Sequence, residues 1–164
     1  MTLDGAAIEL QANIELPDDM DGVAQCGATG VGLFRSEFLF LGRLELPSED
    51  EQFEAYRKVA AAMKAHPVTI RTLDVGADKR LDGLNLSGTT SALGLRAIRY
   101  CLSEPRLFLT QLRAILRASQ FGKVQILIPM LSSSLEIKQA LDMVKHAKEQ
   151  LREANIAFDA GIKV

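Results

Sequence analysis

In this chain of 164 residues, charged side chains gather where apolar runs end. Val31-Gly32-Leu33-Phe34 leads into Arg35-Ser36-Glu37, and Val68-Thr69-Ile70 leads into Arg71, Asp74, Asp78 and Lys79. An earlier stretch, Ala7 to Ile14, alternates apolar and polar residues and brings Asn13 to its end. Arginine presents a planar fork of donors that matches carboxylate or phosphate and stays charged when half-buried. Arg35, Arg71 and Lys79 on one rim would repel one another unless an anion or carboxylates compensate, and Glu37, Asp74 and Asp78 stand nearby. A lone arginine of this kind reads as half of a structural ion pair, Arg35 with Glu37 or Arg71 with Asp74. Two at equivalent positions of neighbouring strands point instead to a small, anionic, phosphorylated ligand.

The elements that must position these residues follow from periodicity. Strands are expected at Ala7 to Ile14, Val31 to Phe34, Val68 to Ile70 and Val124 to Ile128, the last halted by Pro129. A short helix suits Asp19 to Gln25. A longer one opens at Pro47 and Ser48, carries Phe53, Tyr56, Ala60 and Met63 on one face, and ends before Pro67. Ser48 with Glu51, and Ser133 with Glu136, have the three-residue separation of a capping box. Gly76 to Thr90 reads as a long polar loop, with helix resuming near Ser91, breaking at Glu104-Pro105 and running on to Ser119. Ile137, Leu141, Val144 and Leu151 supply the apolar stripe of a final helix.

Alternating strands and helices imply an α/β fold with a parallel sheet. A doubly wound sheet and a TIM-type (β/α) barrel both fit that order. In either, ligands bind at the carboxyl ends of the strands, where the charged residues fall. Gly30-Val31-Gly32 precedes or lies within a strand with no helix directly after it, so it is not a dinucleotide-binding turn. Gly32 more simply makes room in a crowded interior.

Composition narrows the function classes. A net charge of −2 without a basic stripe excludes a nucleic-acid surface. No apolar run reaches the roughly 18 residues of a membrane span, and the first residues have no secretory pattern. Cys26 and Cys101 are far apart and outside metal-ligand spacing, so both read as reduced, buried thiols of a cytoplasmic protein. His146, flanked by Lys145 and Lys148, belongs to a solvated helix face rather than a phosphoacceptor site.

Four stretches carry a family resemblance: Gly30 to Phe40 (GVGLFRSEFLF), Arg71 to Lys79 (RTLDVGADK), Gly94 to Arg99 (GLRAIR) and Gln111 to Ser119 (QLRAILRAS). In order and spacing they resemble the phosphoenolpyruvate-utilising enzymes, and within them the enzyme I group of bacterial sugar phosphotransferase systems, the phosphoenolpyruvate–protein phosphotransferases. The resemblance covers nearly the whole chain. It implies a (β/α)₈ barrel that binds phosphoenolpyruvate (PEP) and Mg²⁺ at the strands' carboxyl ends. Arg35 and Arg71 match the family arginines that grip the phosphoryl group, Lys79 and Arg96 match basic residues at the same mouth, and Asn13 and Asp74 are expected in support. The phosphoryl group would pass to a histidine on a separate domain and then to a histidine-containing phosphocarrier protein, leaving pyruvate.

Ser36 in place of the commoner threonine, Ala77 for glycine and Leu95 for tryptophan suggest a divergent or paralogous member, such as the nitrogen-related or multidomain forms. The resemblance further implies that residues 1–164 form the N-terminal half of the barrel domain, about four of its eight strands. The family's metal ligands, a third arginine and a catalytic cysteine would lie beyond Val164, and the phosphohistidine domain before Met1. No catalytic residue and no firmly held Mg²⁺ are then expected within the chain, which alone should not turn over PEP. Half a barrel would show two open strand edges and an apolar inner face, and so is expected to form a homodimer. A pyruvate phosphate dikinase or PEP synthase barrel, and a non-catalytic PEP sensor or dimerisation module, are the competing readings.

Overall fold

The computed structural model describes residues 2–75 and 94–164. Asp78, Lys79, Ser91 and the loop expected over Gly76 to Thr90 lie outside the described residues. The strands are β1 (Ala12–Ile14), β2 (Val31–Arg35), β3 (Pro67–Arg71) and β4 (Lys123–Leu127). The helices are α1 (Met20–Gln25), α2 (Glu49–Met63), α3 (Ile98–Ser103), α4 (Pro105–Ala118) and α5 (Ser134–Glu153). All strand pairs are parallel, in the order β1-β2-β3-β4. The class is therefore α/β, with a four-stranded parallel sheet compatible with part of a barrel wall.

Both capping boxes form. Ser48 Oγ accepts from Glu51 N at 3.2 Å while Glu51 returns a bond to Ser48 N, and Ser133 and Glu136 repeat the exchange at the start of α5. Each satisfies backbone donors that a helix start leaves orphaned. α2 stops at Met63 because Lys64 takes a positive φ of 52°, and Pro67 opens β3 instead of directly ending the helix. A strand's first residue is a position proline tolerates. β1 is shorter than the alternation from Ala7 suggests: residues 7–11 are exposed, and the Leu10 carbonyl accepts from Thr29 N at 2.7 Å ahead of the regular pairing with β2.

Alternate strand residues face the helices: Val68 and Ile70 on β3, and Val124 and Ile126 on β4, join Phe34, Tyr56, Phe108, Leu112, Ile115 and Leu151 in one core. Phe34 and Tyr56 meet edge to face, with centroids 5.7 Å apart. The other sheet face presents Asn13, Leu33, Arg35, Thr69, Arg71, Gln125 and Leu127, which are exposed or half-buried. That face is more polar than the apolar inner surface expected from the sequence. The exposed apolar surface lies instead on the flank of β4 and α5, where Leu127, Leu131, Ile137 and Leu141 are exposed. Of the stripe read for α5, only Val144 and Leu151 are buried, because α5 packs on α4 and leaves its other apolar side free.

Gly122 lies where the turn into β4 crosses α2: a Cβ there would come within 2.4 Å of the Ala60 carbonyl oxygen. Its backbone is extended, so the constraint is steric alone. Gly122→Ala should cost about 1–3 kcal/mol of stability by overpacking. Urea unfolding checks this, and a variant as stable as the parent chain would contradict so close an approach.

Candidate functional site

Parallel pairing in register sets Arg35 of β2 beside Arg71 of β3, and Arg71 beside Leu127 of β4. Since Val68 and Ile70 point to the helices, Arg71 emerges on the opposite, open face at the carboxyl end of its strand. There Leu33, Arg35, Glu37, Phe38, Arg71, Asp74 and Arg96 line a cleft of about 310 Å³.

Two levels of charge pairing organise this cleft. Arg71, its side chain 19% exposed, is bonded by Nη2 to Glu37 and lies 3.3 Å from Asp74. Asp74 also accepts from Arg96 Nε at 3.1 Å, so one carboxylate bridges two guanidiniums. Glu37 is almost fully buried, where an unpaired carboxylate would be very costly. Arg35 bonds Glu15 at 2.8 Å, and both side chains are about two-fifths exposed, at 39% and 43%. The cleft's own lining carries three guanidiniums against two carboxylates, one positive charge in excess. Arg71 Nε and Glu37 Oε2 are buried and have no hydrogen-bond partner among the described residues.

The pairings differ from those suggested by sequence neighbours. Glu37 serves Arg71, not Arg35, because the 3-10 turn Ser36–Leu39 carries it across to the next strand. The Arg71–Asp74 pair forms as read. Asp74 and Arg96 stand in the cleft with Arg35 and Arg71, whereas Asn13 is exposed in β1 and is not part of the lining. Lys79 is outside the described residues. Glu15 was overlooked, although the strand-end rule that singles out Asn13 needed only one residue beyond Ile14 to reach it.

Other chemistry-bearing groups lie elsewhere. Cys26 is exposed, not buried, because α1 ends at Gln25 and leaves it at the turn. Cys101 is buried against Leu73, and burial, with a further push from the Asp74 charge, raises its thiol pKa to about 12. It is thus a packing residue rather than a nucleophile. His146 is exposed on α5 and contacts Gln150 at 3.0 Å. Among the described residues no three His, Cys, Asp or Glu side chains are grouped to hold a metal, and no helix is long and apolar enough to cross a membrane. The cleft's carboxylates, Glu37 and Asp74, are engaged by arginines, an arrangement that does not fit a divalent cation at these two residues.

Comparison with known proteins bears on this arrangement. The family described as PEP-utilising enzyme, PEP-binding domain, matches residues 1–164. A phosphoenolpyruvate-protein phosphotransferase of Cupriavidus necator is 57% identical over 168 residues, covering 100% of this chain and 29% of its own length. Proteins of the same name from Geobacillus stearothermophilus and Bacillus subtilis (strain 168) are each 48% identical. They cover 100% and 98% of this chain, and in both cases 28% of their own length. The chain therefore spans under a third of the length of these curated relatives.

The two kinds of ion pair should respond differently to neutralisation. Asp74→Asn leaves Arg71 and Arg96 half-buried without their shared counter-charge and should cost about 2 kcal/mol. Glu15→Gln breaks a solvent-screened pair and should cost less than about 1 kcal/mol. Urea unfolding of both at neutral pH checks the contrast, and equal losses would contradict it.

Proposed function

The chain belongs to the PEP-utilising enzyme family, and on that premise we propose that it is the PEP-binding part of a phosphoenolpyruvate–protein phosphotransferase. In this reading residues 1–164 form the N-terminal half of a TIM-type (β/α)₈ barrel, and the open sheet face is part of the barrel interior. The one-sided cover of the sheet by helices and its sequential strand order support that architecture.

The observation that carries the reading is the placing of Arg35 and Arg71 as register partners on one cleft, with Arg96 joined to Arg71 through Asp74. The phosphate of PEP takes its bonds from the Arg71 and Arg35 forks. Glu15 yields Arg35 readily, because an exposed pair in water is worth little. Glu37 and Asp74 keep Arg71 aimed, so that it is in place before negative charge redistributes over the transferring phosphoryl oxygens. Asn13, on the open face of β1 outside the cleft lining, and Lys79 are proposed as supporting residues on the resemblance alone. The bond from phosphorus to the enol oxygen breaks as a bond to a histidine nitrogen of a separate domain forms. The resulting enolate takes a proton to become pyruvate, and a histidine-containing phosphocarrier protein then receives the phosphoryl group.

Mg²⁺ binding, protonation of the enolate and the phosphohistidine are assigned to other parts of the whole protein, so this chain alone does not complete the reaction. A cytoplasmic location suits the free cysteines. A homodimer is part of the reading, supported by the exposed apolar flank of Leu127, Leu131, Ile137 and Leu141.

Calorimetric titration of the whole protein with PEP tests the assignment. Arg71→Met should weaken binding about 30-fold or more, since it removes a desolvated charge partner of the phosphate. Unchanged affinity in that variant would refute the reading.

A further inference from the structure

Behind the cleft, α4 contributes a polar side chain that none of the chemistry above uses. Gln111 is fully buried in the core, at 0% exposure. Its amide orientation follows from its partners. The Leu73 backbone N–H donates to it at 2.8 Å, so the atom facing Leu73 is the carbonyl oxygen. The amide nitrogen then faces two hydroxyls, Ser36 Oγ at 2.9 Å and Tyr56 Oη at 3.1 Å. Both of its protons are used.

The remaining protons follow in one direction. Ser36 Oγ accepts from Gln111, so its single proton goes to the Arg71 carbonyl oxygen, 2.5 Å away. Tyr56 likewise accepts from Gln111 and donates to Gln52 Oε1 at 3.4 Å, while Gln52 Nε2 donates to the Pro47 carbonyl at 2.9 Å. Burial pushes the Tyr56 hydroxyl pKa up, which keeps it a neutral donor.

The arm towards the cleft touches the segments that carry Arg35, Glu37, Arg71 and Asp74, and Asp74 links it to Arg96. Ser36 lies between Arg35 and Glu37, and its hydroxyl ties that turn to the Arg71 backbone. Leu73 lies between Thr72 and Asp74, and Thr72 N is itself fixed to the Leu127 carbonyl at 2.9 Å. Gln111 therefore holds the end of β2 against the end of β3 and sets where Asp74 leaves the chain. Asp74 in turn spaces Arg71 from Arg96.

We infer that Gln111 is a positioning residue for anion binding: through Ser36 and Leu73 it fixes the spacing of the Arg35, Arg71 and Arg96 guanidiniums. This rests on the PEP-binding reading above. A misplacement of an ångström or less at a preorganised cleft weakens recognition of a rigid phosphate far more than it weakens the fold. A buried amide that only stabilises the core would have the opposite signature.

The test compares three variants of the whole protein by PEP titration and thermal unfolding. Gln111→Met preserves side-chain length and removes all three bonds. Ile115→Ala, one turn further on α4 and equally buried, serves as a destabilised control outside the network. Arg71→Met reports on the PEP-binding reading itself. Gln111→Met should bind PEP about 10-fold more weakly when folded, while Ile115→Ala melts lower yet binds within twofold of the unaltered protein. If Gln111→Met binds within twofold of the unaltered protein and Arg71→Met has lost binding, the positioning role is refuted and the PEP reading stands. If Arg71→Met binds normally, the PEP reading has failed and the inference falls with it. Should Gln111→Met not fold, Ser36→Ala carries the same expectation and the same refuting result, because it removes the link from Gln111 to the Arg71 carbonyl and leaves the Leu73 and Tyr56 bonds of Gln111 in place.

Discussion

A half-buried guanidinium held between two carboxylates is the constraint from which the cleft is built. Arg71 would be expensive to withdraw from water alone, and so would Glu37, which is almost wholly enclosed. Their bond makes both burials tolerable, and Asp74 extends the pairing to Arg96. The cluster is tied together by these pairs, yet the lining keeps one guanidinium more than it has carboxylates. A surface with that balance favours an incoming anion once Glu15 gives up Arg35. Arg35 differs in kind, because its partner Glu15 is solvent-screened and readily displaced.

The sheet makes this cluster possible through register. Parallel pairing of Arg35 with Arg71 brings two like charges to adjacent strand ends, a placement that would be unfavourable without counter-charge or ligand. The turn Ser36–Leu39 supplies the counter-charge by carrying Glu37 over to β3. Behind it, Ser36, Gln111 and Tyr56 satisfy one another and the strand-end backbone. A buried polar network is stabilising when its donors and acceptors are paired. The fold and the cleft thus share residues: Ser36 is at once a core hydroxyl and the neighbour of both cleft charges on its turn.

Local pattern made much of this legible. β-branched runs marked β3 and β4, the two capping boxes marked the starts of α2 and α5, and strand-end arginines marked the cleft. What depended on distant partners was not legible. Closeness in sequence offers Arg35 as an ion-pair partner for Glu37, whereas its partner lies 34 residues away in the chain. Nor does the amphipathic stripe of α5 say which of its residues meet α4, so Ile137 and Leu141 looked buried and are exposed. Cys26 was read as buried from its residue type, but its surroundings depend on where α1 stops. Gln111 opens one of the stretches that carry the family resemblance, yet the pattern assigns it no role: a glutamine in an amphipathic helix looks like a surface residue until its three partners are known.

The most direct test of the central claim is a crystal structure of the whole protein with PEP bound. Phosphate oxygens are expected within hydrogen-bond distance of both the Arg35 and Arg71 forks, with Glu15 released from Arg35 and Glu37 still bonded to Arg71. A phosphate bound elsewhere, with the Arg35–Glu15 pair intact, would contradict it.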